Sequence, residues 1–180
     1  MNKVLQHLRS QHQQILVMLD SNQDLLSIIK FVEEEHHPLE ERDLFPHIAN
    51  HPMLKEGGPL CTYFWGMEMD LKPKARAENL LHKLYTLHFP RPHSIPSFPW
   101  LTAHTPLQIP MGEHALSHEL TYAIRELSHD ENSPIAKEFL EPLKMEYIKL
   151  LRSHIDKEDN CLFVLCEKLL PTLVHSKDAL

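Results

Sequence analysis

Two segments of the chain carry one spacing: residues 36–45, His-His-Pro-Leu-Glu-Glu-Arg-Asp-Leu-Phe, and residues 154–163, His-Ile-Asp-Lys-Glu-Asp-Asn-Cys-Leu-Phe. In each, a histidine precedes a glutamate by four positions and a Leu-Phe pair by eight. On an α-helix, positions i and i+4 lie on one face, so each segment offers an imidazole and a carboxylate to the same point in space. Two such helices facing each other make a cage for metal.

The rest of the chain fits a helical protein. Its 180 residues form one domain (residues 1–180), long enough to bury a core, and four glycines with little strand-like alternation point to an all-α class. A formal charge of −7 and the lack of a Lys/Arg cluster argue against a nucleic-acid partner. The first fourteen residues contain no apolar signal core, and no run of 18 apolar residues spans a membrane. The three cysteines, Cys61, Cys161 and Cys166, have no CxxC spacing and read as reduced thiols of a cytoplasmic protein. Fifteen histidines are the one compositional oddity.

Four helices are predicted, over about residues 2–19, 23–49, 110–128 and 134–170. Pro110 suits a first turn, Pro171 is expected to end the last helix, and Pro142 to kink or split it. Residues 51–110 differ: they hold nine of the fourteen prolines, both tryptophans, and Tyr63, Phe64, Phe89 and Phe98. A stretch this aromatic is an ordered excursion rather than a disordered linker. It is expected to carry one short helix near residues 74–88 and to pack on one end of the assembly.

At about 100° per residue, periodicity separates inward histidines from outward ones. In the last helix Leu143, Tyr147, Leu150, His154, Glu158, Leu162 and Leu165 form one stripe. In the second, Leu25, Ile29, Val32, His36 and Glu40 share a face, whereas His37 and Glu41 turn off it. His12 lies at the centre of the stripe of the first helix, and His7 is opposite. In the third, His114 lies toward the margin of the face of Leu116, Leu120, Ala123, Ile124 and Leu127, and His118 is nearly opposite.

A single inward histidine is ordinarily a hydrogen-bonded core residue. Glutamates at the centre of an apolar stripe are harder to place, because burying an unpaired carboxylate costs several kcal/mol or neutralises it. No Lys or Arg lies on these stripes. A bound cation explains two glutamates and three histidines at stripe centres more economically than a structural polar network.

Together, the segments over 36–45 and 154–163, the early His12 and the Glu113-His114 pair resemble the hemerythrin-like (HHE cation-binding) family. The resemblance covers the four helices but not the excursion. It implies an up-down-up-down four-helix bundle with a dinuclear non-haem iron centre. The implied ligands are His12 from the first helix, His36 and Glu40 from the second, His114 from the third, and His154 and Glu158 from the fourth. An HxxxH pair on the third helix would add His118. Three features depart from the pattern: Pro38 between the ligands of the second helix, Asp159 directly after Glu158 as an alternative carboxylate, and a long excursion whose His82, His88, His93 and His104 are alternatives for a fifth nitrogen.

Imidazole and carboxylate ligands without thiolates suit iron or manganese and disfavour structural zinc or iron–sulfur clusters. With histidines outnumbering glutamates, the ligand charge suits reversible binding of O2, NO or a related small oxidant such as peroxide, with Glu40 and Glu158 as bridges. A protein that binds a ligand is expected ahead of a turnover enzyme. A metal- or oxygen-responsive regulatory module, or a role in repairing iron–sulfur or nitrosative damage, are the alternatives. Trp65, Trp100 and Tyr63 are expected to roof the bundle and gate access. Oligomeric state is not legible.

Overall fold

The computed structural model describes residues 3–21, 23–55, 72–87, 89–91 and 97–174. These residues are all-helical, without strands, and form six helices: α1 (Lys3–Asp20), α2 (residues 25–49), α3 (Pro52–Lys55), α4 (Lys72–Leu87), α5 (Gln108–Ser128) and α6 (residues 134–174).

Helix starts follow local chemistry. The Asp24 carboxylate caps α2 by accepting from the Ser27 backbone N–H at 3.1 Å, and the Ser133 hydroxyl caps α6 by accepting from Ala136 N–H at 3.1 Å. Helix ends depart from expectation. The helix runs through Pro142, an exposed position, without splitting, and continues past Pro171 to Val174.

Three π-helical turns interrupt the α geometry, at Val32–His36 and Glu40–Leu44 in α2 and at Glu158–Leu162 in α6. Across them the N–H of His37 reaches Val32 O, that of Phe45 reaches Glu40 O, and that of Phe163 reaches Glu158 O. The first two turns each end two residues before a proline, Pro38 and Pro46. A proline lacks the N–H for the α ladder and its ring crowds the carbonyl four residues back, so widening the preceding turn absorbs it without breaking the helix. No proline accounts for the third turn.

The apolar residues form two clusters. One gathers Ile15 of α1, Ile29 and Val32 of α2, Leu81 and Leu84 of α4, Leu120 and Ile124 of α5, and Tyr147 and Leu151 of α6. The other gathers Leu8, Leu44, Phe45, Leu107, Met111, Leu162 and Phe163. Between them along α1, α2, α5 and α6 stand the buried polar side chains His12, His36, His37, Glu40, His114, His154 and Glu158. The molecule is thus a polar layer between two apolar ones, each fully buried Leu or Phe contributing roughly 1.5–3 kcal/mol.

The excursion does not sit at one end. Its helix α4 packs against α5 and α6 in the first cluster, while Phe98, Trp100 and Leu101 pack on the second. Cys61, Tyr63, Phe64, Trp65, His88 and His93 lie outside the described residues.

Candidate metal centre

Four histidines turn their Nε2 atoms to two carboxylates. Glu158 Oε2 lies 3.2 Å from His154 Nε2 and 3.4 Å from His12 Nε2. Glu40 Oε2 lies 3.4 Å from His114 Nε2 and 3.7 Å from His36 Nε2. All six residues are at most 2% exposed. The atoms able to act as ligands fall into two groups of four, each lying within 4.8 Å of one another: His12, His36, Glu40 and Glu158; and Glu40, His114, His154 and Glu158. Both carboxylates belong to both groups.

The far side of each ring is anchored. His12 Nδ1 donates to Asp159 Oδ1 at 2.9 Å, His36 Nδ1 to Gln11 Oε1 at 3.2 Å, His114 Nδ1 to Glu41 Oε1 at 2.7 Å, and His154 Nδ1 to Glu113 Oε2 at 3.0 Å. Such partners fix tautomer and orientation, directing the Nε2 lone pair inward. Two are themselves held by cations: Asp159 by Arg9, at 3.3 Å, and Glu113 by the buried Lys157. Lys157 corrects the expectation that no cation serves these stripes, although it pairs with Glu113 and not with Glu158.

The inner carboxylate oxygens have no such partners. Neither oxygen of Glu40 nor either of Glu158 has a hydrogen-bond partner. Burial, followed by the charge of Glu158, pushes the Glu40 carboxyl well above the usual range. Burial also works against Glu158, but the neighbouring His154 and His12 outweigh it and hold that carboxyl below its usual value. His36 is depressed by burial and by His12. Buried carboxylate oxygens without hydrogen-bond partners, faced by inward nitrogens, form groups that could hold a metal ion.

His118 is not brought to this cluster. Its Nδ1 donates to Glu33 Oε1 at 2.9 Å, and its side chain is 35% exposed. The apolar face of α5 already points it away from the core, and the HxxxH expectation is corrected. His37 takes the inner place instead: it is 2% exposed, its ring stacks on His114 at 3.8 Å, and it groups with His114 and His154 within the same 4.8 Å limit. The π turn over Val32–His36 is the reason. Its extra residue shifts the phase of the helix beyond it by roughly 100°, so His36 and His37 are both buried, one toward His12 and the other toward His114. The proline two residues past that turn is the one local signal for it. Asp159 supports His12 from outside the cluster, and His82 and His104 are exposed.

A cleft of about 160 Å³ lined by Glu41, Phe98, Leu101, Met111 and His118 reaches the outer side of His114. Trp100 packs edge-on against Phe45, with ring centroids 6.1 Å apart. Among the described residues no helix is long and apolar enough to cross a membrane. Compared with protein-family models, with curated proteins and with solved structures, the chain matches none.

Proposed function

We propose that the chain is a hemerythrin-like, non-haem di-iron protein of the cytoplasm that binds O2, NO or a related small oxidant. The observation that carries this reading is the sharing of Glu40 and Glu158 between two histidine pairs, with all four carboxylate oxygens unpartnered. Burial and the charge of Glu158 both oppose an ionised Glu40, a penalty that bound cations would remove.

The proposed architecture is an up-down-up-down four-helix bundle of α1, α2, α5 and α6. It is supported by the order in which the helices meet the core layers. Leu8 precedes His12 and Ile15 in α1, Val32 precedes His36 and Leu44 in α2, Met111 precedes His114 and Leu120 in α5, and Leu151 precedes His154 and Leu162 in α6. The direction through the polar layer therefore alternates from helix to helix.

One iron would be held by His12 and His36, the other by His114 and His154 with His37 as an additional nitrogen, and Glu40 and Glu158 would bridge them. A non-haem iron pair with an open position supplies reversible binding of a small oxidant. Around it, Asp159, Gln11, Glu41 and Glu113 orient the ligand rings, and the two apolar layers exclude bulk water. The cleft beside Glu41 and His118 is the proposed access side. Manganese fits the same donors.

Elemental analysis of protein purified without chelators, with absorption spectra before and after air exposure, tests the reading. About two irons per chain with near-ultraviolet charge-transfer absorption is the expected result. No bound metal after anaerobic iron reconstitution would overturn it.

A further inference from the structure

A small cavity lies beside the centre, and of its lining residues only His154 belongs to either group of four ligands. It leaves about 10 Å³ for the centre of a water molecule and is lined by His37, Ser117, Tyr147, Glu113 and His154 together with two leucines. Three of these residues carry a buried polar atom without a hydrogen-bond partner: His37 Nδ1, Ser117 Oγ and Tyr147 Oη. They come from three different helices, α2, α5 and α6. Tyr147 is 0% exposed, His37 2% and Ser117 4%, so bulk water does not reach them.

Orphaned hydroxyls are rare in protein interiors, because removing them from water without a new partner is strongly unfavourable. Here three orphaned polar atoms belong to residues that line one cavity. A buried water needs roughly 10–15 Å³ of such space and two to four polar partners. The cavity supplies both. Ser117 lies close enough to Tyr147 for the two hydroxyls to interact, yet neither is fully satisfied by the other.

We infer that this cavity is a built site for one water-sized hydroxylic ligand, water in the resting protein, which hydrogen-bonds Tyr147, Ser117 and His37 and so ties α2, α5 and α6 together beside the centre. The ligand can accept from the Tyr147 hydroxyl and the Ser117 hydroxyl and still exchange a hydrogen bond with His37 Nδ1. Tyr147 and Ser117 are then positioning residues for His37. That consequence rests on the metal-binding reading, since His37 matters there as a nitrogen ligand; the site itself does not depend on it.

The test is a double-variant cycle of Tyr147→Phe and Ser117→Ala, by denaturant unfolding of the full chain in chelator. The water leaves with the first hydroxyl removed. Each single variant is therefore expected to lower the unfolding midpoint, and the double variant to fall little further. The imidazole nitrogen resonances of His37 should shift in both single variants, and Ser117→Thr, which keeps a hydroxyl, should restore them. A Tyr147→Phe protein as stable as its parent or more so, with additive effects in the double variant, would overturn the site. So would a crystal structure of the metal-free parent with a dry cavity. Iron content of the parent is read separately. A parent that takes no iron removes the proposed function and leaves the cycle standing, whereas an additive cycle in a protein that binds two irons removes only the water site.

Discussion

His12 Nε2 and His36 Nε2 stand 3.1 Å apart in the interior, each ring already anchored through its other nitrogen, to Asp159 and to Gln11. His114 and His154 repeat the arrangement, with Nε2 atoms 3.2 Å apart and anchors at Glu41 and Glu113. Two imidazole lone pairs do not face each other at that distance with nothing between them, so a proton or a metal ion belongs there. In the metal-free protein the surrounding groups favour a proton on His12 over one on His36. Burial lowers the pKa of His12, but Asp159 and Glu158 outweigh it and raise the net value, whereas burial and the charge of His12 lower that of His36.

Metal and proton therefore compete for the same nitrogens. Metal affinity is expected to rise with pH through the titration of His12 and to be lost on acidification. Because the folded-state pKa of His12 is raised, its contribution to metal-free stability is fully present below the unfolded value near 6.5 and disappears as pH rises through the folded value. Metal titrations from pH 5 to 8 check this; affinity independent of pH would count against competition at these rings.

The two carboxylates are shared and the histidines are not. His12→Ala is expected to lower metal content from about two to about one per chain, while Glu158→Ala removes both ions, because each group of four loses a ligand. Elemental analysis of the folded variants decides it. Equal losses in the two would mean that the groups are not separate.

Glu40→Gln is expected to separate stability from binding. Burial and the charge of Glu158 both oppose ionisation of Glu40, whose oxygens have no hydrogen-bond partner. Replacing it with a neutral amide able to donate to His36 or His114 should stabilise the metal-free protein by about 1–3 kcal/mol at neutral pH. The same change removes a carboxylate common to both groups of four, so thermal stabilisation by added metal should vanish. A destabilised metal-free variant would contradict the repulsion.

Behind His154, the ion pair of Glu113 with Lys157 is buried on both sides, with side chains 4% and 7% exposed. Burial raises the Glu113 carboxyl, but His154 and Lys157 outweigh it and hold it low. Lys157→Met leaves that charge half-compensated and should cost about 3–5 kcal/mol. Adding Glu113→Gln should recover part of the loss. Denaturant unfolding of the single and double variants measures both.

His118 gives a pH signature of its own. The hydrogen bond to Glu33 raises its pKa against opposing burial; burial opposes the Glu33 carboxyl too, but His118 and Thr121 hold it low. The contribution of His118 is present below its unfolded value near 6.5 and is lost as pH rises through its folded value; that of Glu33 is present above 4.5 and is lost as pH falls through its folded value. Parent and His118→Ala should differ most between pH 4.5 and 6.5, by about 1 kcal/mol or less because water reaches the pair. Metal content should not change.

Much of the centre is legible in the chain. The i,i+4 spacing of His36 with Glu40 and of His154 with Glu158 specifies one face per helix, and the apolar stripes around them orient that face inward. His12 comes from the same periodicity, whereas His114, at the margin of its face, comes from the family resemblance. His118 and His37 depart from expectation for related reasons. An HxxxH spacing promises a shared face only on a helix whose face is already known to be inward, and uniform periodicity fails once a turn gains a residue. The outer partners Gln11, Glu41 and Lys157 escape sequence reasoning because contacts between helices have no sequence period.

The sequence by itself determined the helical class and the inward direction of His12, His36, Glu40, His154 and Glu158, because these depend on spacing within one helix, while His114 came from the resemblance. Only the tertiary structure decided that Glu40 and Glu158 each face two histidines, that His37 joins them, and that His118 is held by Glu33. Those outcomes depend on how α1, α2, α5 and α6 are set against one another and on three π turns that shift the phase within α2 and α6, and both are fixed by packing across the core rather than by any one segment.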